Sequence, residues 1–260
     1  MKYLAAILAI FLVTSLIGCD SKKDLSENEK HSLLLYCGAG IRPPVEKIVE
    51  TFSREHGIEI HTDFAGSETL LSKISLSHKG DLYLPGDKRY VDQAKEKGYI
   101  IDQKPIFYFV PTILVQKGNP HDINSLQDLI KPGIQIGLGD PQACAIGRLC
   151  KDLFAKNGIS WNQLQENLKF KSLTVNELGM QIQADSLDAV IVWMAVANYY
   201  LDHGDIITIP TDDNIISSVN IGALKFSEKP KNAALFMEFI TSDRARQIFQ
   251  EKGYNTIKPD

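Results

Sequence analysis

The sequence is short of the residues that metal or thiol chemistry uses. Its 260 residues include four cysteines and six histidines, with no Cys-x-x-Cys and no His-x-x-x-His pair, which disfavours a bound metal ion. There is no Gly-x-Ser-x-Gly elbow, Walker loop, His-Glu-x-x-His or Cys-His pairing, so a secreted hydrolase or transferase on an α/β scaffold has no motif behind it. No cofactor is expected. Positive charge is not in excess: 28 Lys and Arg stand against 32 Asp and Glu, a formal charge of −4. Without a basic run, a nucleic-acid partner is disfavoured. Only one segment is apolar enough to suggest a membrane, which rules out a multi-span protein. What remains is an ordinary globular composition, 44% hydrophobic and 23% charged with 18 Gly and 11 Pro. A chain of this size can bury one sizeable core or two smaller ones.

The apolar segment lies at the N-terminus. Met1-Lys2 gives a basic start, and Tyr3 to Gly18 carries no charge. That run is shorter than the roughly 20 residues a membrane span needs and fits a secretory signal over residues 1–18. It ends in Leu16-Ile17-Gly18-Cys19, which resembles the bacterial lipobox. The resemblance implies cleavage before Cys19, diacylation of that cysteine, and attachment to a bacterial membrane facing the periplasm or the cell surface. Asp20 resembles the inner-membrane retention signal of enterobacterial lipoproteins, a rule that does not extend to all bacteria. Loss of Lys2 would leave the mature chain at −5. Residues 19–30 are polar and charge-dense and read as a tether. Cys37, Cys144 and Cys150 remain, and an exported protein can form disulfides; pairing and three free thiols are both open.

From Leu33 onward, short β-rich runs alternate with helical patterns. A strand Leu33 to Tyr36 precedes Gly38-Ala39-Gly40. A helix follows with Pro43-Pro44 in its first turn, an apolar stripe of Val45, Ile48, Val49 and Phe52, and Gly57 at its end. Strand Ile58 to His61, a helix with Ser67 as N-cap, strand Asp81 to Leu84 and helix Val91 to Lys97 complete a βαβαβ set. The extended run Ile106 to Gln116 contains Pro111 and is predicted to be two segments joined at a bend. A second set follows: helix Ser125 to Ile130, strand Ile134 to Leu138, helix Ala145 to Lys156, strand Lys169 to Leu173, helix Asn176 to Ala184, strand Ala189 to Trp193, and helix or turn to Tyr200. Strands Ile206 to Ile209 and Ile215 to Lys225, then one helix from Ala233 to Gln250, finish the chain. The expectation is an α/β protein of two lobes, 31–113 with 216–260 and 114–215. Each lobe has a mainly parallel sheet flanked by helices, and two crossing strands join them over a ligand cleft.

Three turns of small residues stand before helices: Gly38-Ala39-Gly40, Ala65-Gly66-Ser67 and Cys144-Ala145-Ile146-Gly147. A helix N-terminus offers unpaired N–H groups and partial positive charge, and small residues let a ligand approach the backbone. Such groups can hold an anion without Lys or Arg, although each turn alone could be a plain helix cap.

The blocks Leu35-Tyr36-Cys37-Gly38-Ala39-Gly40-Ile41, Phe64-Ala65-Gly66-Ser67-Glu68-Thr69-Leu70, Gly80-Asp81-Leu82-Tyr83-Leu84, Gly139-Asp140-Pro141 with Ala145-Ile146-Gly147-Arg148, and Asp188 to Trp193 occur in this order. Together they resemble the periplasmic molybdate-binding protein family, the solute receptors of molybdate ABC transporters, over Leu33 to Gly253. The resemblance implies a type II periplasmic binding protein fold and no enzymatic activity. It also implies a tetrahedral oxyanion, molybdate or tungstate, as ligand, an ABC permease as partner, and a monomer. A sensor lipoprotein using the same cleft, or a receptor for another small anion, is the alternative. Carried over position by position, the implied ligand set is Ser67, through hydroxyl and N–H, and Ala145 and Val175, through N–H. Gly40 stands where the family has a serine, and Trp193 where it has a tyrosine; the metal would be met only through the anion's oxygens. Arg148 reads as a surface residue, and Asp81 and Asp87 as structural or cleft-rim groups. Hinges are expected near Val110 to Ile113 and Ser217 to Ile221, and Ser67→Ala is expected to weaken binding with little change in the melting temperature of the empty protein.

Overall fold

The computed structural model describes residues 32–259; the signal, Cys19 and the tether lie outside the described residues. Two five-stranded sheets make up the molecule. The first contains β1 (Leu33–Gly38), β2 (Ile60–Ala65), β3 (Leu82–Leu84), β4 (Ile100–Phe109) and β10 (Ser217–Leu224), in the order β2-β1-β3-β10-β4. The second contains β5 (Pro111–Gln116), β6 (Ile136–Gly139), β7 (Leu168–Ser172), β8 (Ala189–Trp193) and β9 (Gly204–Thr208), in the order β7-β6-β8-β5-β9. The two orders follow one plan. In each sheet the fourth strand runs against the rest, β10 in the first and β5 in the second. Those are the strands through which the chain enters each sheet from the other. The βαβ crossovers bury the parallel strands, which is why β1, β6 and β8 read as apolar runs rather than alternations.

The helices are α1 (Arg42–His56), α2 (Ser67–Ser77), α3 (Lys88–Glu96), α4 (Ala145–Lys156), α5 (Val175–Gln183), α6 (Met194–Ala197), α7 (Pro230–Ile240) and α8 (Asp243–Glu251). Helix α1 starts with proline at its first positions and ends at Gly57, whose φ of 66° is the left-handed conformation glycine adopts freely. Its buried Val45, Ile48 and Phe52 pack on the first sheet, and Phe52 meets Phe236 of α7 edge to face at 5.0 Å. The expected single C-terminal helix is two. Ser242 interrupts it, its hydroxyl accepting from the Ala245 N–H to cap α8, because a serine that can bond the local backbone favours a cap over a helix interior. Ser67 is not the N-cap of α2. Gly66 holds that position and Ser67 is the first helical residue.

The sheets exchange the chain at two places, Val110 and residues 209–216. Pro111 opens β5, where a residue without an N–H can begin a strand. Pro111 to Ile113 therefore pair in the second sheet, not the first, and most of both expected hinge segments is held in ladders: Thr112 pairs with Val192 and Thr208, and Ser217 with Phe109. Val110, inside the first expected segment, and residues 209–216 lie outside the ladders. The buried Asn214 ties the two crossings together, its Nδ2 donating to the carbonyls of Pro111 (3.0 Å) and Ile209 (3.4 Å) while its Oδ1 accepts from the Ile215 N–H (2.8 Å). Asn214→Ala is expected to lower stability by about 1–3 kcal/mol, because buried carbonyls lose their donor; denaturant unfolding of both proteins measures it.

Candidate functional site

The parallel strands of both sheets deliver their carboxyl ends to one cavity between the lobes, as open α/β sheets do. From the first lobe come Gly38 to Ile41 after β1, Ala65 to Ser67 after β2, Gly86 after β3, and Phe109 at the end of β4. From the second come Cys144 to Ile146, Thr174 with Val175, and Trp193 at the end of β8. Gly40, Ser67, Ala145, Val175 and Trp193 thus all line the same space. Its volume is ≈ 20 Å³, far below the roughly 300–1,000 Å³ of pockets that hold drug-sized ligands. Only a small, compact solute suits it.

Among the described residues, the wall holds no Lys, Arg, His, Asp or Glu. Its polarity comes from helix starts. Helices α2, α4 and α5 begin at Ser67, Ala145 and Val175, and the residues before them, Gly66, Cys144 and Thr174, make no side-chain cap bond. Away from the cavity the pattern differs: Asp87 caps α3 by accepting from the Arg89 N–H, Ser242 caps α8, and Ser125 with Asp128 forms a full capping box. Three helix N-termini therefore open on the cavity with the Ser67, Ala145 and Val175 N–H groups left for a ligand, and their dipoles favour negative charge there. Glu68 and Glu177 sit in the first turns of α2 and α5 but do not line the space. The Glu177 carboxylate turns back to accept from the Leu173 N–H (2.9 Å) and the Thr174 hydroxyl (3.1 Å).

Ser67 is 2% exposed. Its Oγ accepts the Gly86 N–H at 3.0 Å, and its carbonyl accepts the Tyr83 hydroxyl at 2.7 Å. With one lone pair engaged, the hydroxyl keeps its proton to donate into the cavity. Trp193 lies flat on Phe109 of the first lobe, centroids 4.6 Å apart and planes 6° from parallel. Gly40 sits in the turn after β1, where the Tyr254 hydroxyl holds its carbonyl at 2.6 Å. A Cβ there would stand 2.6 Å from Val175 Cγ1, so the valine of the opposite lobe fills the room a serine would need. Gly86 and Phe109 were not named from sequence. Pro85-Gly86-Asp87 does repeat the small-residue turn before a helix, a signal that could have found Gly86; nothing local marks Phe109.

The remaining expected positions separate cleanly. Arg148 is exposed. Asp81 is buried within the first lobe, accepting from the Leu34 N–H (2.7 Å) and the Ser227 hydroxyl (2.5 Å). Cys37, Cys144 and Cys150 are free and buried. Burial pushes all three thiols up, that of Cys144 to about 12, so they stay protonated and neutral. Among the described residues no cluster of His, Cys, Asp or Glu could hold a metal ion, and no helix is long and apolar enough to cross a membrane.

Residues 33–255 match the family model described as bacterial extracellular solute-binding protein. The chain belongs to that family. Its members are extracellular solute-binding proteins, which agrees with a small cavity lined by donors. A protein of Haemophilus influenzae is 27% identical over 99% of this chain and all of that one. The molybdate-binding protein ModA of Mycobacterium tuberculosis is 22% identical over 95% of each chain. The solved periplasmic molybdate-binding protein of Azotobacter vinelandii superposes with a TM-score of 0.75 at 16% identity, covering 88% of this chain and 100% of the other, and so shares its two-lobe fold.

The Ser67–Gly86 bond changes what is expected of Ser67→Ala. It deprives a buried N–H of its acceptor as well as removing a donor from the cavity. The empty protein is expected to lose about 0.5–1.5 kcal/mol, rather than almost nothing, and solute binding at least about 1.5 kcal/mol, near tenfold. Thermal melts without solute and a binding isotherm separate the two losses.

Proposed function

We propose that this chain is a receptor for a tetrahedral oxyanion, molybdate or tungstate, which it captures between its lobes and presents to an ABC permease. The carrying observation is the convergence of three helix starts without side-chain caps on a small cavity whose wall has no charged side chain. Such a wall supplies donors and partial positive charge and almost no acceptors, so it suits a ligand that only accepts hydrogen bonds. An anion carrying a proton, as hydrogen phosphate does, would need an acceptor and find few. Neutral donors also leave release possible, since no salt bridge to Lys or Arg must break. The ligand set is Ser67, through Oγ and N–H, the backbone N–H groups of Gly40, Ala145 and Val175, and the Trp193 indole N–H. Relatives named for molybdate at 22% identity support the choice of anion. The lipobox-like Leu16 to Cys19 supports a lipid anchor at the membrane where a permease resides, with the protein acting as a monomer.

Calorimetry of the purified full chain against molybdate, tungstate, sulfate, thiosulfate and phosphate tests the reading. Binding of molybdate or tungstate in the micromolar range or tighter, with phosphate at least about a hundredfold weaker, is expected; that gap corresponds to roughly 2.7 kcal/mol. Binding of none of them below millimolar overturns it. Affinity is also expected to stay level from pH 6 to 9. The titratable side chain in the wall, Cys144, is held up to about 12 by burial, and only its thiolate, formed above that range, would repel a dianion. A fall in affinity between pH 6 and 9 for a fully ionised anion would point to a titrating group in the site.

A further inference from the structure

Lobe closure brings backbone against backbone at one point. Gly66, the N-cap of α2, has φ −65° and ψ 148°, an extended conformation that any L residue adopts. Its lack of a side chain therefore has no conformational cause. The cause lies in the other lobe: a Cβ on Gly66 would stand 2.4 Å from the Ala143 carbonyl oxygen and 2.5 Å from that of Leu173. Both are main-chain atoms and cannot swing aside as a side chain would. Two residues on, the Glu68 N–H donates to the same Ala143 carbonyl at 3.1 Å. This is a direct hydrogen bond from the first lobe to the second. Farther from the cavity, Arg89 of α3, held by Asp87, reaches Asp152 of α4 at 2.6 Å. That pair is partly exposed and of the kind that adds little to closure.

We propose that Gly66 is the positioning residue for closure, a role that rests on the interlobe cavity being the solute site. Its bare Cα lets the first turn of α2 seat on the carbonyls of Ala143 and Leu173, which seals the cavity and sets how long the solute stays. With a methyl group at this point the lobes must part by about 1 Å to regain ordinary contact. The Glu68 bond then stretches past hydrogen-bonding range. Water enters, and every bond to the solute weakens as the local dielectric rises. The three atoms nearest to that methyl group all belong to the second lobe, so the open molecule is expected to keep its stability.

Gly66→Ala in the full chain tests this. Its melting temperature without solute is expected within about 2 °C of wild type. Affinity for molybdate is expected to fall at least tenfold, through faster dissociation and with the association rate within about twofold. A second measurement needs no solute. Arg89→Cys with Asp152→Cys places one thiol on each lobe, and the rate at which a short bismaleimide bridges them follows the closed population. The buried Cys37, Cys144 and Cys150, with their raised pKa values, react slowly by comparison. Adding Gly66→Ala is expected to slow bridging at least tenfold. Equal bridging rates with and without Gly66→Ala overturn the proposal, as does a fall in melting temperature with bridging unchanged, which would make Gly66 a local packing residue. If wild type binds none of the five oxyanions, the anion reading fails by itself, and the bridging rates still decide the role of Gly66.

Discussion

A backbone N–H in the first turn of a helix has no partner within that helix, and once buried it must find one elsewhere. In this chain Ser67, Ala145 and Val175 begin helices whose preceding residues make no side-chain cap bond, and all three line one cavity between the lobes. The architecture follows from that constraint. Parallel strands must end beside one another for their helices to start at a common point, and two lobes must face each other for donors to surround a solute. The wall must be small-residued, because Gly40, Gly66, Gly86 and Ala145 leave the backbone as the surface a ligand meets.

The absence of charged side chains decides the electrostatics. On the proposed reading, a chain with net negative charge attracts an anionic solute poorly at long range, so capture would depend on contact distance rather than steering. The neutral Cys144 thiol and a serine whose lone pair is engaged by Gly86 leave the wall rich in donors. The acidic groups nearby are occupied elsewhere: Asp87 by the α3 start and Arg89, and Glu177 by the Leu173 and Thr174 donors.

Closure couples this chemistry to motion. The chain passes between sheets at Val110 and at 209–216, which Asn214 ties together, and the lobes then meet directly at the start of α2. Trp193 marks the join, a second-lobe side chain stacked on a first-lobe phenylalanine. The crossing between the sheets and the meeting of the lobes are distinct places, one held by hydrogen bonds to a buried asparagine and the other approached at a bare glycine.

Much of this was legible in the amino-acid order. Periodicity and punctuation located β8 to the residue and α4 closely, and Pro111 divided a long extended run because its missing N–H cannot serve a ladder there. The small-residue turns pointed to helix starts that could receive an anion, since that chemistry is local. Other features were not legible. Ser67 reads as a cap until Gly86, brought near by the sheet, occupies its oxygen. The last helix reads as continuous until Ser242 closes on Ala245. Gly40 reads as a lost serine until Val175 of the other lobe is seen filling the space. Sequence by itself determined which segments carry donors and which are buried, because propensity and hydrophobic pattern act over a few residues. Only the tertiary structure decided which donors converge, where the chain bends and which glycines must stay bare, because those depend on atoms far apart along the chain and a few ångströms apart in space.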